Sequence, residues 1–182
     1  MLTDIRFATV FRDAMLNGEF FPGWANDNFG FGSIGVRFYP PLAFYALAIA
    51  EIITGNWFSA LWITLLFWMF AGCAGLYFFV KELSTPYQGL IAGIVYVVVP
   101  QHLNEIFQFF LFAEFAAWGV LPFCFWFLTR VCRGGSWSNT ILFAAAYSIL
   151  ILTHIPTTII ASFCFPIYVL ALMDREQIKP AF

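Results

Sequence analysis

The sequence predicts an all-α, polytopic transmembrane helical bundle with an amphipathic N-terminal helix in an extracytoplasmic loop, and three observations carry that prediction. Of 182 residues, 62% are hydrophobic and only 10% charged, against roughly 25% charged in soluble domains, whose wet surface must be covered with polar groups. The 25 Phe and 7 Trp would leave large adhesive patches in water. Several apolar runs also reach the roughly 20 residues that a helix needs to cross the hydrocarbon layer.

Residues 1–41 form the one sizeable polar region. At about 100° per residue, Phe7, Ala8, Val10, Phe11, Ala14 and Met15 share one arc, with Arg6, Thr9, Arg12, Asp13 and Asn17 opposite. The pattern predicts an amphipathic helix suited to the membrane surface. Gly18 ends it, and Pro22, Gly23, Gly30, Gly32 and Gly35 preclude regular structure up to Pro40-Pro41. Charges throughout 1–17 leave no uninterrupted apolar core for a secretory signal.

Residues 42–182 form the transmembrane domain. The run 42–53 is too short to cross, contains Glu51 and ends at Thr54-Gly55-Asn56, so it is read as interfacial or tilted. Spans follow at about 57–80, 84–100, 106–128, 139–153 and 155–173. Lys81-Glu82 closes the first, and Gly89-x-x-x-Gly93 in the second allows close helix approach. Residues 101–105 are a polar interruption. Pro156 removes a backbone donor and clashes with the preceding turn, which divides the last apolar stretch into a hairpin.

If the spans alternate, Lys81, Arg130, Arg133, Arg175 and Lys179 share one side, expected to be cytoplasmic. The N-terminal loop, the 101–105 turn and the His154 turn then share the other. A full crossing by 42–53 would break that agreement. The expected location is a bacterial inner membrane, multi-pass, with membrane lipid as partner. Nucleic acid is excluded as a partner, because no basic run or stripe exists to grip it. Cys73, Cys124, Cys132 and Cys164 form no CxxC pair and read as small packing residues.

Ionisable groups at membrane depth are costly unless they face a cavity or a partner. Glu114 lies among the rings of Phe109–Phe115; it faces a polar cavity, or sits in the interfacial layer, or is neutral. Asp4 reads as a first-turn acid at a helix N-terminus or as a carboxylate that activates a hydroxyl or binds a metal beside phosphate. His102 and Glu105 lie three apart and form an acid–base or metal pair, or a solvated loop pair. His154 beside Pro156 either bonds carbonyls freed by the break or joins a site. Arg37 is a candidate phosphate contact, for substrate or head group alike, and Glu51 is expected to reach water. No phosphate-binding loop, GxSxG or HExxH is present.

Gly18-Glu19-Phe20-Phe21-Pro22-Gly23-Trp24, Asn28-Phe29-Gly30-Phe31-Gly32 and Phe38-Tyr39-Pro40-Pro41-Leu42 resemble the first outer loop of a family of bacterial membrane proteins labelled 6-pyruvoyl-tetrahydropterin synthase-related. Val99-Pro100-Gln101-His102-Leu103, Phe112-Ala113-Glu114-Phe115 with Leu121-Pro122, and Leu152-Thr153-His154 resemble its later signature points. No pterin-synthase zinc site appears. The architecture is similar to that of GT-C glycosyltransferases, which take sugar from a polyprenyl-phosphate carrier at the outer face. The resemblance implies a catalytic role for Asp4, with a second acid at Glu105 or Glu114 and His102 beside it. It implies substrate contacts at Arg37 and His154, a divalent cation (Mg or Mn) as cofactor, and a lipid-linked sugar as partner. Such enzymes begin with a span before the first outer loop and run longer, so the chain is expected to be a fragment. The alternative expectation is a non-enzymatic protein that binds or moves a lipid-linked substrate, or an inactive piece.

Overall fold

The computed structural model describes residues 2–26, 31–134 and 136–178, and every regular element among them is helical. Helix α1 is Leu2–Leu16, and a 3-10 turn at Gly35–Arg37 precedes α2 (Leu42–Thr54). Then come α3 (Trp57–Leu83), α4 (Pro86–Val98), α5 (Pro100–Asn104), a π-helical turn at Glu105–Phe109, α6 (Phe112–Gly134), α7 (Trp137–Thr153) and α8 (Ile155–Ile178). Four segments are long and apolar enough to cross a membrane: Trp57–Leu83, Pro86–Phe109, Phe112–Gly134 and Ile155–Met173. The apolar helices α2 and α7 are shorter.

Helix α3 starts where Asn56 turns the chain, because its Oδ1 accepts from Phe58 N at 2.8 Å and Ser59 N at 3.3 Å. These are two of the donors that a helix start leaves unpaired. Asn56→Ala should lower stability by about 1 kcal/mol, read as an earlier thermal transition in detergent; Asn56→Ser should retain most of it.

Helix α3 is the hub, packing on α2, α4 and α6, while α7 and α8 lie against α6. Its neighbours approach through glycine. A Cβ on Gly89 would stand 2.8 Å from the Tyr77 carbonyl oxygen, and one on Gly93 3.2 Å from that of Cys73. The expected close approach is thus made by α4 onto α3. On α6, a Cβ at Gly119 would meet the Trp68 carbonyl at 2.7 Å.

Helix α1 forms as its periodicity predicts, but its apolar arc is covered by protein rather than laid on a membrane surface. Ala8, Phe11 and Ala14 are buried, with the Phe11 ring 6.2 Å from Phe44 and 4.7 Å from Tyr45 of α2. This docking also changes Glu51. Expected to reach water, it is buried and paired with Arg12 at 3.3 Å, while that guanidinium also holds Asp13 at 2.7 Å and lies over the Trp57 ring. Helix α1 supplies the cation that makes a buried carboxylate tolerable there.

The ends of the bundle differ in charge. At one, Arg133 donates to the Glu82 carbonyl, Asn139 Nδ2 to that of Arg130 at 3.4 Å, and Trp126 Nε1 to Glu82 Oε2 at 3.4 Å. This brings the ends of α3 and α6 and the start of α7 together, with Lys81, Arg130 and Arg133 at that end; the side chains of Arg175 and Lys179, grouped with them from sequence, lie outside the described residues.

Candidate functional site

The opposite end is shaped by a proline. Pro100 holds Val99 extended (φ −60°, ψ 128°), as residues before proline prefer, and so kinks the α4–α5 segment. Proline also has no N–H to give the Tyr96 carbonyl four residues earlier. His102 Nδ1 donates to that oxygen at 2.8 Å, beside a longer bond from Val99 N at 3.5 Å, which places a proton on Nδ1. The imidazole is buried against Tyr96, Phe115 and Trp118, with centroids 4.3, 5.9 and 6.4 Å away. The bonding of a freed carbonyl that the sequence offered for His154 is thus made by His102.

The helix does not stop at 101–105. It continues through the π turn to Phe109 and reverses at Phe110, whose φ of 55° is left-handed, with Leu111 N donating to Glu105 O at 3.1 Å. A non-glycine residue held there stores strain, and π turns recur at functional sites. Glu105 opens the π turn and is fully buried. Its Oε1 accepts from Gln101 Nε2 at 2.7 Å and Trp118 Nε1 at 2.9 Å, while Oε2 has no partner among the described residues. Glu105 and His102 therefore share Trp118 as a neighbour, each with its own bonding partners, and neither lies in a solvated loop.

Glu114, in the first turn of α6, is half-buried and stands within electrostatic reach of Glu105, Tyr39 and His154. Asp4, in the first turn of α1, acts on the same Tyr39. Burial, then Asp4 and Glu114, hold the Tyr39 phenol above its usual range, so it stays protonated. Its ring is seated on Phe7 (5.8 Å) and Phe44 (5.5 Å), which ties the loop to α1 and α2. Asp4 and Glu114 thus both act electrostatically on Tyr39, and Glu114 also acts on His154, linking α1, the 35–41 segment, α6 and the α7–α8 break. Tyr39 is the member not singled out from sequence, although it lies inside the Phe38-Tyr39-Pro40-Pro41 block.

His154 Nδ1 lies 2.8 Å from the Thr157 hydroxyl in the first turn of α8. Burial lowers its pKa and Glu114 opposes that shift. Glu114→Gln should therefore move the His154 titration to lower pH, followed by NMR of labelled imidazoles. An unmoved midpoint would break the proposed pairing. Arg37 stands apart, exposed at the end of its 3-10 turn with its guanidinium against Gly23.

The arrangement offers two carboxylates able to take a proton, a phenol able to donate one, and an imidazole able to do either. For the divalent cation implied by the resemblance, no group of three or more His, Cys, Asp or Glu with suitable placement comes together among the described residues. A Mg-type site would have to draw most of its oxygens from elsewhere, and the chemistry below uses protein groups only.

Residues 36–180 match the family model described as the 6-pyruvoyl-tetrahydropterin synthase related domain, a membrane protein. The match includes His102, Glu105, Glu114 and His154 and begins after Asp4. No curated protein and no solved structure matches the chain.

Proposed function

The chain belongs to the 6-pyruvoyl-tetrahydropterin synthase related family of membrane proteins, and from that premise we propose that it transfers a sugar from a polyprenyl-phosphate carrier to a hydroxyl acceptor at the outer face of a bacterial inner membrane. The support for the reading is that Asp4 of α1 and Glu114 of α6, from distant parts of the chain, both act electrostatically on Tyr39. In the proposed step the acceptor oxygen bonds to the anomeric carbon as the bond from that carbon to the carrier phosphate breaks. The electron pair leaves on the phosphate and the hydroxyl proton passes to Asp4. Such proton removal from a positioned hydroxyl combines proximity with general-base catalysis.

Glu114, rather than the buried Glu105, is the second acid in this reading, and it orients the acceptor. Tyr39, kept protonated, donates to the departing phosphate and offers a ring for the sugar to stack on. His154, within electrostatic reach of Glu114, contacts substrate beside it, and Arg37 meets phosphate from the loop side. Support for the orientation comes from Lys81, Arg130 and Arg133, which gather at the opposite end. His102 and Glu105 contribute by holding the Phe110 reversal that delivers α6 and with it Glu114.

The test uses membranes containing the protein and a labelled polyprenyl-phosphate sugar. Transfer that depends on both Asp4 and Glu114 supports the proposal. Saturable binding of the donor with no turnover, unaltered by either substitution, overturns it in favour of a protein that binds or moves such lipids.

A further inference from the structure

At the cation-bearing end, α3 and α6 enclose an open cleft of about 330 Å³ lined by Phe78, Lys81, Glu82 and Trp126. Its floor is aromatic, with Phe78 and Trp126 stacked 4.7 Å apart at 16°. Lys81 of the cleft wall, and Arg130 beside the cleft on its Trp126, lie over ring faces. Arg130 lies over Trp126 with its guanidinium carbon 5.5 Å from the centroid, and Lys81 over Tyr77 at 5.7 Å. A ring face orients a cation without using its N–H donors, which leaves the edge of Arg130 able to meet two phosphate oxygens at once. Arg133 adds a third positive charge at the rim through its bond to the Glu82 carbonyl. Among the described residues Glu82 is the carboxylate lining the cleft, and its Oε2 accepts from Trp126. Among those same residues the cleft and its rim carry Lys81, Arg130 and Arg133 against Glu82, at the ends of two spanning helices where lipid head groups lie.

We propose that this cleft binds the phosphodiester of an anionic phospholipid, with Arg130 and Lys81 on the phosphate oxygens and Phe78 and Trp126 beneath the glycerol. A basic pocket between spanning helices with an apolar floor suits that class of ligand: charge selects the head group while the rings accept the start of the acyl chains. The site lies at the far end of the bundle from the carboxylates and is independent of the transfer reaction. Its occupant adds to the bonds that Arg133 and Trp126 of α6 already make with Glu82 of α3.

The experiment measures lipid binding by native mass spectrometry and thermal shift, adding dioleoyl-phosphatidylglycerol or dioleoyl-phosphatidylcholine to the full chain in neutral detergent. Phosphatidylglycerol should bind and raise the transition, and phosphatidylcholine should not. Lys81→Ala with Arg130→Ala should weaken phosphatidylglycerol binding about 30-fold, since each basic group near an anionic surface contributes a factor of about five. Glu82→Gln, which keeps an oxygen acceptor for Trp126, should tighten binding, an opposite change that a merely destabilised protein would not give. Equal binding of the two lipids, unchanged binding in the double variant, or weaker binding in Glu82→Gln overturns the proposal. Full displacement of the lipid by millimolar inorganic phosphate also overturns it, by making free phosphate the ligand.

Discussion

Asp4→Asn should lower the rate of sugar transfer by about 10² to 10⁴-fold, the range a lost general base produces, while donor binding changes little. The substitution preserves size and an oxygen acceptor and removes the negative charge and with it the capacity to take a proton. Asp4 lies in the first turn of α1, where loss of its charge weakens an interaction with the helix dipole of about 0.3–1 kcal/mol. The hydrophobic docking of α1 through Ala8, Phe11 and Ala14 is far larger, so the helix should remain in place. Glu114→Gln should raise KM for the acceptor more than it lowers kcat, because an orienting contact acts in both ground and transition states. Initial rates with labelled donor, alongside circular dichroism and gel filtration of each variant, provide the reading. An Asp4→Asn protein that transfers within twofold of wild type removes the base from the mechanism. A large loss in Glu114→Gln with none in Asp4→Asn would exchange the two roles.

Much of the bundle was legible because membrane helices are written in local terms. The run from Trp57, the Gly89/Gly93 pair and the break before Pro156 each depend on residues within a few turns of one another. What was not legible depended on distant partners. The polar stretch 101–105 reads as a turn until Trp118, thirteen residues beyond Glu105, is seen to donate to its carboxylate. With that bond made, Gln101 and Glu105 can stay in helix and the reversal moves to Phe110. Glu51 likewise reads as a carboxylate in water until Arg12, 39 residues away, arrives with α1. Periodicity gave α1 its two faces but could not say that Phe44 and Tyr45, rather than lipid, would cover the apolar one. For the site, the ionisable residues were visible as costly exceptions in an apolar chain. Tyr39 was not, since a tyrosine in an aromatic-rich loop carries no such cost, and it enters the proposal only through the electrostatic influence of Asp4 and Glu114.

The two histidines, given similar weight by sequence, should separate sharply on substitution. His102→Ala removes the shorter of two bonds to the Tyr96 carbonyl and leaves the long one from Val99 N at 3.5 Å, and a poorly satisfied buried acceptor costs about 1–3 kcal/mol. It also empties a space enclosed by Tyr96, Phe115 and Trp118, and emptied ring sites cost about 3–5 kcal/mol where the surroundings cannot collapse. Collapse is restricted here because Pro100 and the left-handed Phe110 fix the backbone on either side. A combined loss of about 3–5 kcal/mol corresponds, at roughly 2–4 °C per kcal/mol for a chain of this size, to a fall in Tm on the order of 10 °C. His102→Gln retains an N–H donor of similar reach and should recover part of it. His154→Ala loses one half-exposed bond to Thr157 and should cost about 1 kcal/mol or less, with its effect falling on substrate affinity instead. Thermal unfolding of the three variants in one detergent decides the matter. Equal shifts for His102→Ala and His154→Ala would mean that the carbonyl freed by Pro100 finds another donor, and His102 would then return to the candidates for chemistry.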